Sequence, residues 1–346
     1  MYIVQALLAW LFGLALIAVF FRSLISTTLF NRHRRDGIGH AVMRVAWAVF
    51  RTVALRSNEQ TVIDRRIVWF WPIAVFSLIF TWFGLVVVGF ACFYWATGAA
   101  TTVFGALVAS GSALSTLGFD TVNNPPGQVL AISEAAIGLF IVVYTITFLP
   151  GFMVAMQQRN DQVAWVYART GTPPTAGRLL EWFYGLQPEL IDEQLWSTWE
   201  MWFRALGETH AATPLLNISR SFRPEQDWLA GTAAMLDASA LASTTLDIAS
   251  APSATVCCDT GIRALRTIAM VFASEQQLTG NALAPTQVDR ATFDALCARL
   301  TAAGAPIKAE SDQAWREFSE KRLQYEAALA VIAHQILART RVQPLM

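Results

Sequence analysis

Glu134 is the only acidic or basic residue in the apolar run from Val129 to Met156, and a carboxyl at membrane depth is a functional candidate by default. A hydrogen-bonding role suits it better than direct contact with an ion. Upstream, the string Ala113-Leu114-Ser115-Thr116-Leu117-Gly118-Phe119-Asp120 lies between two long apolar segments. Its hydroxyls, its carboxylate and the backbone freedom of Gly118 offer oxygen chemistry. A ring of backbone carbonyls can replace the hydration shell of a cation when several copies surround one axis. Asp120 also reads as a turn residue ahead of Asn123-Asn124-Pro125-Pro126. No other grouping suggests chemistry. His33 and His40 sit in a basic loop, and His210 and His334 have no neighbouring nucleophile or metal spacing. Cys92, Cys257, Cys258 and Cys297 have no zinc-type spacing and read as reduced thiols. The expectation is a protein that is not an enzyme and carries no resident metal or cofactor.

The elements that must position these residues belong in a bilayer. Of 346 residues, 55% are hydrophobic and only 14% charged, a composition rare among soluble proteins. Three stretches reach the ~20 apolar residues a spanning helix needs, at 2–21, 67–94 and 129–156. The connection 22–66 holds all nine arginines that precede Gln158, whereas 95–127 contains no Lys or Arg. By the positive-inside rule the N-terminus lies outside and the chain from Arg159 onward is cytoplasmic, in a multi-pass protein of the inner (plasma) membrane. Trp69 and Trp71 then fall near the inner interface, and Tyr94 and Trp95 near the outer one. Between the first two spans, His40, Arg44 and Arg51 share one helical face opposite Ile38, Val42, Val45 and Val49, as in a helix lying along a lipid surface. The same pattern also fits a helix packed on the cytoplasmic domain. The run Thr101–Leu114, too short to cross a bilayer, suits a re-entrant helix, tolerated at that depth only when protein or a watery cavity surrounds it.

From Ile67 to Met156 the chain resembles the pore module of bacterial two-transmembrane-helix potassium channels, with outer helix, pore helix, filter and inner helix in that order. The filter string Thr116-Leu117-Gly118-Phe119-Asp120 carries the resemblance. So does Gln128-Val129-Leu130-Ala131-Ile132-Ser133-Glu134-Ala135-Ala136-Ile137-Gly138-Leu139, with its glutamate and its glycine four residues on. The resemblance implies that Thr116 offers its hydroxyl and carbonyl to the innermost ion site, and that Leu117, Gly118 and Phe119 add carbonyls further out. It places Phe119 at the family's Tyr position, packed against pore-helix residues, and Asp120 at the outer mouth. Gly138 becomes a hinge or a packing residue, and Pro150-Gly151 a kink near the cytoplasmic exit. The family pattern is Thr-Val-Gly-Tyr-Gly-Asp, so the second filter glycine is absent here. Asp120 must then supply the backbone conformation that the glycine would have allowed.

The expected architecture is an all-α membrane protein with three transmembrane helices, a re-entrant pore helix and a helical cytoplasmic domain, assembled in the bilayer as a homotetramer around K⁺, possibly Na⁺, as permeant ion. The alternatives are a non-selective sodium/potassium channel and a non-conducting membrane sensor or scaffold. Domain boundaries are expected at 1–66, 67–158 and 159–346. Neither half carries the concentrated basic patch of a nucleic-acid binder.

Beyond Arg159 the pattern is helical and soluble. Arg169 to Pro174 breaks the first segment, and Leu195, Trp196, Trp199, Trp202 and Phe203 form a broad apolar face. Further helices are expected over 224–247, 254–272, 285–300 and 311–341. In the last, Trp315, Phe318, Tyr325, Leu329, Ile332 and Ile336 form a heptad-like seam interrupted by Arg322, suited to a coiled coil or to packing on the domain. No glycine-rich phosphate loop follows a strand.

Overall fold

The computed structural model describes residues 2–28, 37–221, 223, 225–274, 278, 288–338 and 345. His33, its neighbours Arg32, Arg34 and Arg35, and the expected helix ends at Pro224, Pro285 and Arg341 lie outside the described residues. The chain is all-helical: α1 (Tyr2–Thr28), α2 (Gly37–Ala54), α3 (Gln60–Ile67), α4 (Phe70–Ala96), α5 (Val103–Leu114), α6 (Pro125–Thr170), α7 (Ala176–Leu186), α8 (Glu193–Ala212), α9 (Leu215–Ile218), α10 (Trp228–Thr244), α11 (Ala251–Ala269), α12 (Arg290–Ala302) and α13 (Ser311–Ile336). Among the described residues the nearest thing to a strand is an isolated bridge between Leu246 and Ile307. Helices long and apolar enough to cross a membrane begin near Ile3, Gln60 and Pro125. Their apolar surfaces mark a membrane-associated protein. The chain divides into two compact units, one of residues 1–56 and 69–153, the other of 57–68 and 154–346.

In the first unit α1 packs along α4 through small residues. A Cβ built on Gly13 would stand 2.6 Å from the Gly89 carbonyl oxygen, and one on Gly89 2.9 Å from the Ile17 side chain, so these helices approach nearly backbone to backbone. Trp82 of α4 donates its indole N–H to the Ser23 hydroxyl at 3.0 Å, which satisfies a polar atom that burial would otherwise strand. In α2, Ile38 and Val42 pack on this core. Trp47 and Phe50 meet the Phe70 ring edge-on, while Val45, Val49 and Val53 stay exposed. The expected apolar face is therefore divided between a packed half and an open half. The chain turns at Val68–Trp69, so Ile67, expected to open the second span, belongs to α3, and α4 starts at Phe70 with Pro72 in its first turn. Pro is tolerated there because the first-turn N–H groups lack intrahelical acceptors.

The second unit is built around α10, buried along almost its whole length. A helix apolar on every side belongs in a core, and the small residues Ala233, Ala234, Ala238 and Ala242 let its neighbours close in. Trp196, Trp199 and Phe203 of α8 pack in the same core with Phe183, Leu265, Phe318 and Ile332. The seam of α13 is buried within this unit, which removes it as a coiled-coil surface. Its interruption, Arg322, pairs with Asp237 of α10 at 2.7 Å, and Tyr325 donates to the same carboxylate. His210 is buried against the Trp228 ring, and burial next to Arg159 drives its pKa well below the usual histidine value. His334 is exposed.

Residues 57–66, expected to close the N-terminal segment, and 67–68, expected to open the next, pack in this unit, where Ile63, Asp64 and Ile67 of α3 are buried. The end of α6, beyond Met153, belongs to the same unit. There Arg159 donates to the carbonyls of Leu216 at 2.7 Å and Ser219 at 3.0 Å, and stacks over Trp228.

Candidate functional site

The site begins with α5. Thr102 caps it by accepting from the Gly105 N–H at 3.0 Å. The face formed by Ala106, Ala109, Ser110 and Leu114 is buried, while Val103 and Phe104 on the other side are exposed. Small side chains on the buried face let α5 lie against α4, where the Ser110 hydroxyl donates to the Val87 carbonyl at 3.0 Å.

Glu134, fully buried in α6, joins three helices. Its carboxyl accepts from the Tyr94 hydroxyl of α4 at 2.9 Å and hydrogen-bonds the Ser110 hydroxyl of α5. Tyr94, expected in an interfacial belt, is instead fully buried, its hydroxyl held by the carboxyl forty residues later. Four residues beyond Glu134, a Cβ on Gly138 would stand 2.0 Å from the Leu114 carbonyl oxygen. The C-terminal end of α5 therefore rests on the backbone of α6, and Gly138 is a packing residue. Gly127, Glu134, Gly138 and Ile141 form one buried stripe at helical spacing, while Ile132, Leu139, Phe140 and Val143 point outward.

Past α5 the chain enters the filter-like string. The Thr116 N–H donates to the Ala113 carbonyl and the Leu117 N–H to the Ser112 carbonyl, both at 3.0 Å. The Ser112 hydroxyl accepts from the Asp120 N–H at 3.1 Å and so spans the loop. These bonds satisfy carbonyls at the helix end that would otherwise lack partners. Among the described residues, no hydrogen bond is accepted by the carbonyls of Thr116, Leu117, Gly118 or Phe119. Positive φ occurs at Thr116 (56°) and Gly118 (68°), alternating with Leu117 and Phe119. Asp120 is not in that region, which corrects the expectation that it replaces the second glycine. The strained position is Thr116, whose hydroxyl donates to the Ser115 carbonyl at 2.7 Å. Phe119 is 71% exposed and does not pack on its own α5.

Asn124 anchors the far side of the loop. Its side-chain oxygen accepts from the Gly127 N–H at 3.0 Å, at the start of α6, and its amide donates to the Thr97 carbonyl at the end of α4. The remaining candidates are not brought to this loop. Pro150 and Gly151 lie exposed in the interior of α6, roughly 18 Å along the axis from Gly138 at 1.5 Å per residue. The division between the two units falls just after them, between Met153 and Val154.

No family model, curated protein or solved structure matches the chain. Ser110, Ser112, Asn124 and Tyr94 are the site residues that sequence reasoning missed. The two serines, two positions apart in an otherwise apolar short helix, were the available signal.

Proposed function

We propose that the chain is a monovalent cation channel, potassium-preferring, in which four copies surround one axis and each contributes the loop Thr116–Asp120. The observation that carries this reading is the run of four consecutive carbonyls without hydrogen-bond donors at the end of a short apolar helix, with positive φ alternating along it. Unpartnered carbonyls are costly unless water or an ion takes the donor's place. In this reading α5 re-enters the membrane from outside, with its C-terminal dipole end favouring a cation. Asp120 adds negative potential at the mouth. The exposed Phe104, Leu117 and Phe119 are covered by neighbouring copies, α2 lies on the inner leaflet, and the helical C-terminal unit is cytoplasmic. The Pro150-Gly151 step, at the boundary between units, serves as the gate element. A non-selective sodium/potassium pore is the second reading, favoured by the single glycine and by the ordinary φ of Asp120, which leave fewer aligned carbonyl rings.

The test is cation flux from liposomes holding the purified protein, with potassium and sodium gradients in parallel and Gly118→Ala as control. At φ 68° an alanine is strained by its backbone alone, since nothing lies within 4 Å of the added Cβ. Expected is potassium-favouring flux that Gly118→Ala abolishes while the oligomer persists on native mass spectrometry. Monomeric protein, or flux indifferent to the substitution, overturns the proposal.

A further inference from the structure

In the second unit a cleft is lined by Asp64, Val68, Arg220, Ser221, Arg223, Gln226 and Asp227, an open space of about 250 Å³ continuous with solvent. Apart from that open mouth it has room for about one water-sized atom. Arg220 lines the cleft, with a side chain only 7% exposed. One terminal nitrogen of its guanidinium, Nη2, donates to the carbonyls of Ile336 at 2.7 Å and Leu337 at 2.6 Å, at the C-terminus of α13. Its Nε faces the Asp64 carboxylate at 3.3 Å. The other terminal nitrogen, Nη1, is buried and has no hydrogen-bond partner. A buried guanidinium edge left without an acceptor is costly, and a bound oxygen atom would remove that cost.

The balance of groups says which kind of atom belongs there. The lining carboxylates are already engaged: Asp64 accepts from Gln60 and Asp227 caps α10 at the Leu229 N–H. Arg159 adds a third guanidinium, close enough to act on both Arg220 and Asp227. Among the described residues the lining holds Arg220 and Arg223 against the engaged Asp64 and Asp227, with Arg159 as a further nearby cation. At the rim Arg223 is exposed and Ser221 accepts from the Arg223 N–H, which leaves the hydroxyl proton to point elsewhere. A guanidinium nitrogen without an acceptor in the lining, with Arg159 as an additional cation nearby, fits a phosphate oxyanion whose bulk stays in the open mouth.

We propose that this cleft binds a phosphate group, supplied either by a soluble phosphorylated ligand or by a lipid headgroup. The binding itself does not depend on the channel reading. The place is suited to regulation, because Arg220 also holds Asp64 of α3, and Val68 of the same cleft is two residues from the first residue of α4. An oxyanion on Nη1 would complete the guanidinium that ties α3 to the end of α13.

The experiment uses the full chain. In neutral phosphatidylcholine nanodiscs, inorganic pyrophosphate is titrated at constant ionic strength, with melting temperature and calorimetric heat as readouts. A second arm compares nanodiscs of phosphatidylcholine alone with discs containing phosphatidylglycerol. Arg223→Gln, at the exposed rim, keeps the fold, and Arg220→Lys keeps the charge near Asp64 but removes the fork. Saturable pyrophosphate binding, weakened about tenfold by either variant, supports a soluble source. No pyrophosphate binding, with stabilisation by phosphatidylglycerol that Arg223→Gln abolishes, supports a lipid source. Absence of both effects, or effects of equal size in wild type and both variants, overturns the proposal.

Discussion

Replacing Gly138 by alanine tests the central contact of the candidate site. The added Cβ would begin 2.0 Å from the Leu114 carbonyl oxygen and 3.1 Å from its carbon, whereas real Cβ contacts below 3.0 Å essentially do not occur. Both atoms are backbone, so no rotamer change relieves the clash, and α5 and α6 must separate by at least about 1 Å. Overpacking of this kind costs roughly 1–3 kcal/mol, against about 1 kcal/mol gained from the better helix propensity of alanine. A backbone-on-backbone clash belongs in the upper half of that range, about 2–3 kcal/mol, which leaves an expected net loss of about 1–2 kcal/mol, or roughly 2–6 °C in melting temperature. Gly151→Ala is the matched control, because nothing lies within 4 Å of its added Cβ and only the propensity gain applies. Melting in one detergent, followed by tryptophan fluorescence, should place Gly138→Ala below and Gly151→Ala at or above the wild type. On the channel reading proposed above, cation flux should also fall with Gly138→Ala, since α5 carries the loop on its end. A Gly138→Ala protein that melts and conducts like the wild type would refute the packing argument and return Gly138 to a hinge.

Three further substitutions probe buried polar groups. Glu134→Leu strands the Tyr94 hydroxyl at about 1–3 kcal/mol, while Ser110 keeps its bond to the Val87 carbonyl, and adding Tyr94→Phe should recover part of that loss in a double-mutant melting cycle. Arg322→Met leaves the Asp237 carboxylate buried without its cation, an expected loss of about 3–5 kcal/mol that Asp237→Leu in the same chain should largely restore in soluble yield and melting temperature. Burial raises Glu326 from 4.5 to about 7, beside Arg322 and Asp237. The folded protein therefore holds a proton that the unfolded chain releases between those values, and this contribution to stability is present below 4.5 and lost as pH rises to 7. Glu326→Gln should flatten the fall in melting temperature between pH 5 and 7.5, and an unchanged slope would reject the assignment.

Much of the architecture is legible from run lengths. The three long apolar helices, the short α5 and the tryptophan-rich α8 follow from apolar lengths and period, because burial or lipid contact selects the same residues on each turn. What resists reading is partnership. Gly138 looks the same whether it bends a helix or admits a carbonyl, and only Leu114 decides between them. Tyr94 at a helix end resembles an interfacial anchor until Glu134 meets it from forty residues away. Arg322 looks like a flaw in a seam because Asp237, its counter-charge, lies on another helix. In the loop, strain was expected at Asp120 by analogy with the family pattern, yet the bonds from Thr116 and Leu117 back onto α5 place the positive φ at Thr116.

The interleaving of the two units has a consequence for how the protein is made and dissected. Residues 57–68 belong with partners translated only after 69–153 have emerged, and Gln60 must wait for the Leu337 carbonyl, 277 positions later. During synthesis α3 therefore exists without its docking surface while the long apolar helix α4 and most of α6 are being made. The C-terminal unit cannot close around Arg220 until nearly the whole chain has been made. A fragment beginning at Val154 would leave Arg220 without Asp64, whereas one that splices 57–68 onto it by a flexible linker would restore the pair. The comparison of those two fragments measures how much of the unit's stability is held by a segment separated from it in sequence by residues 69–153.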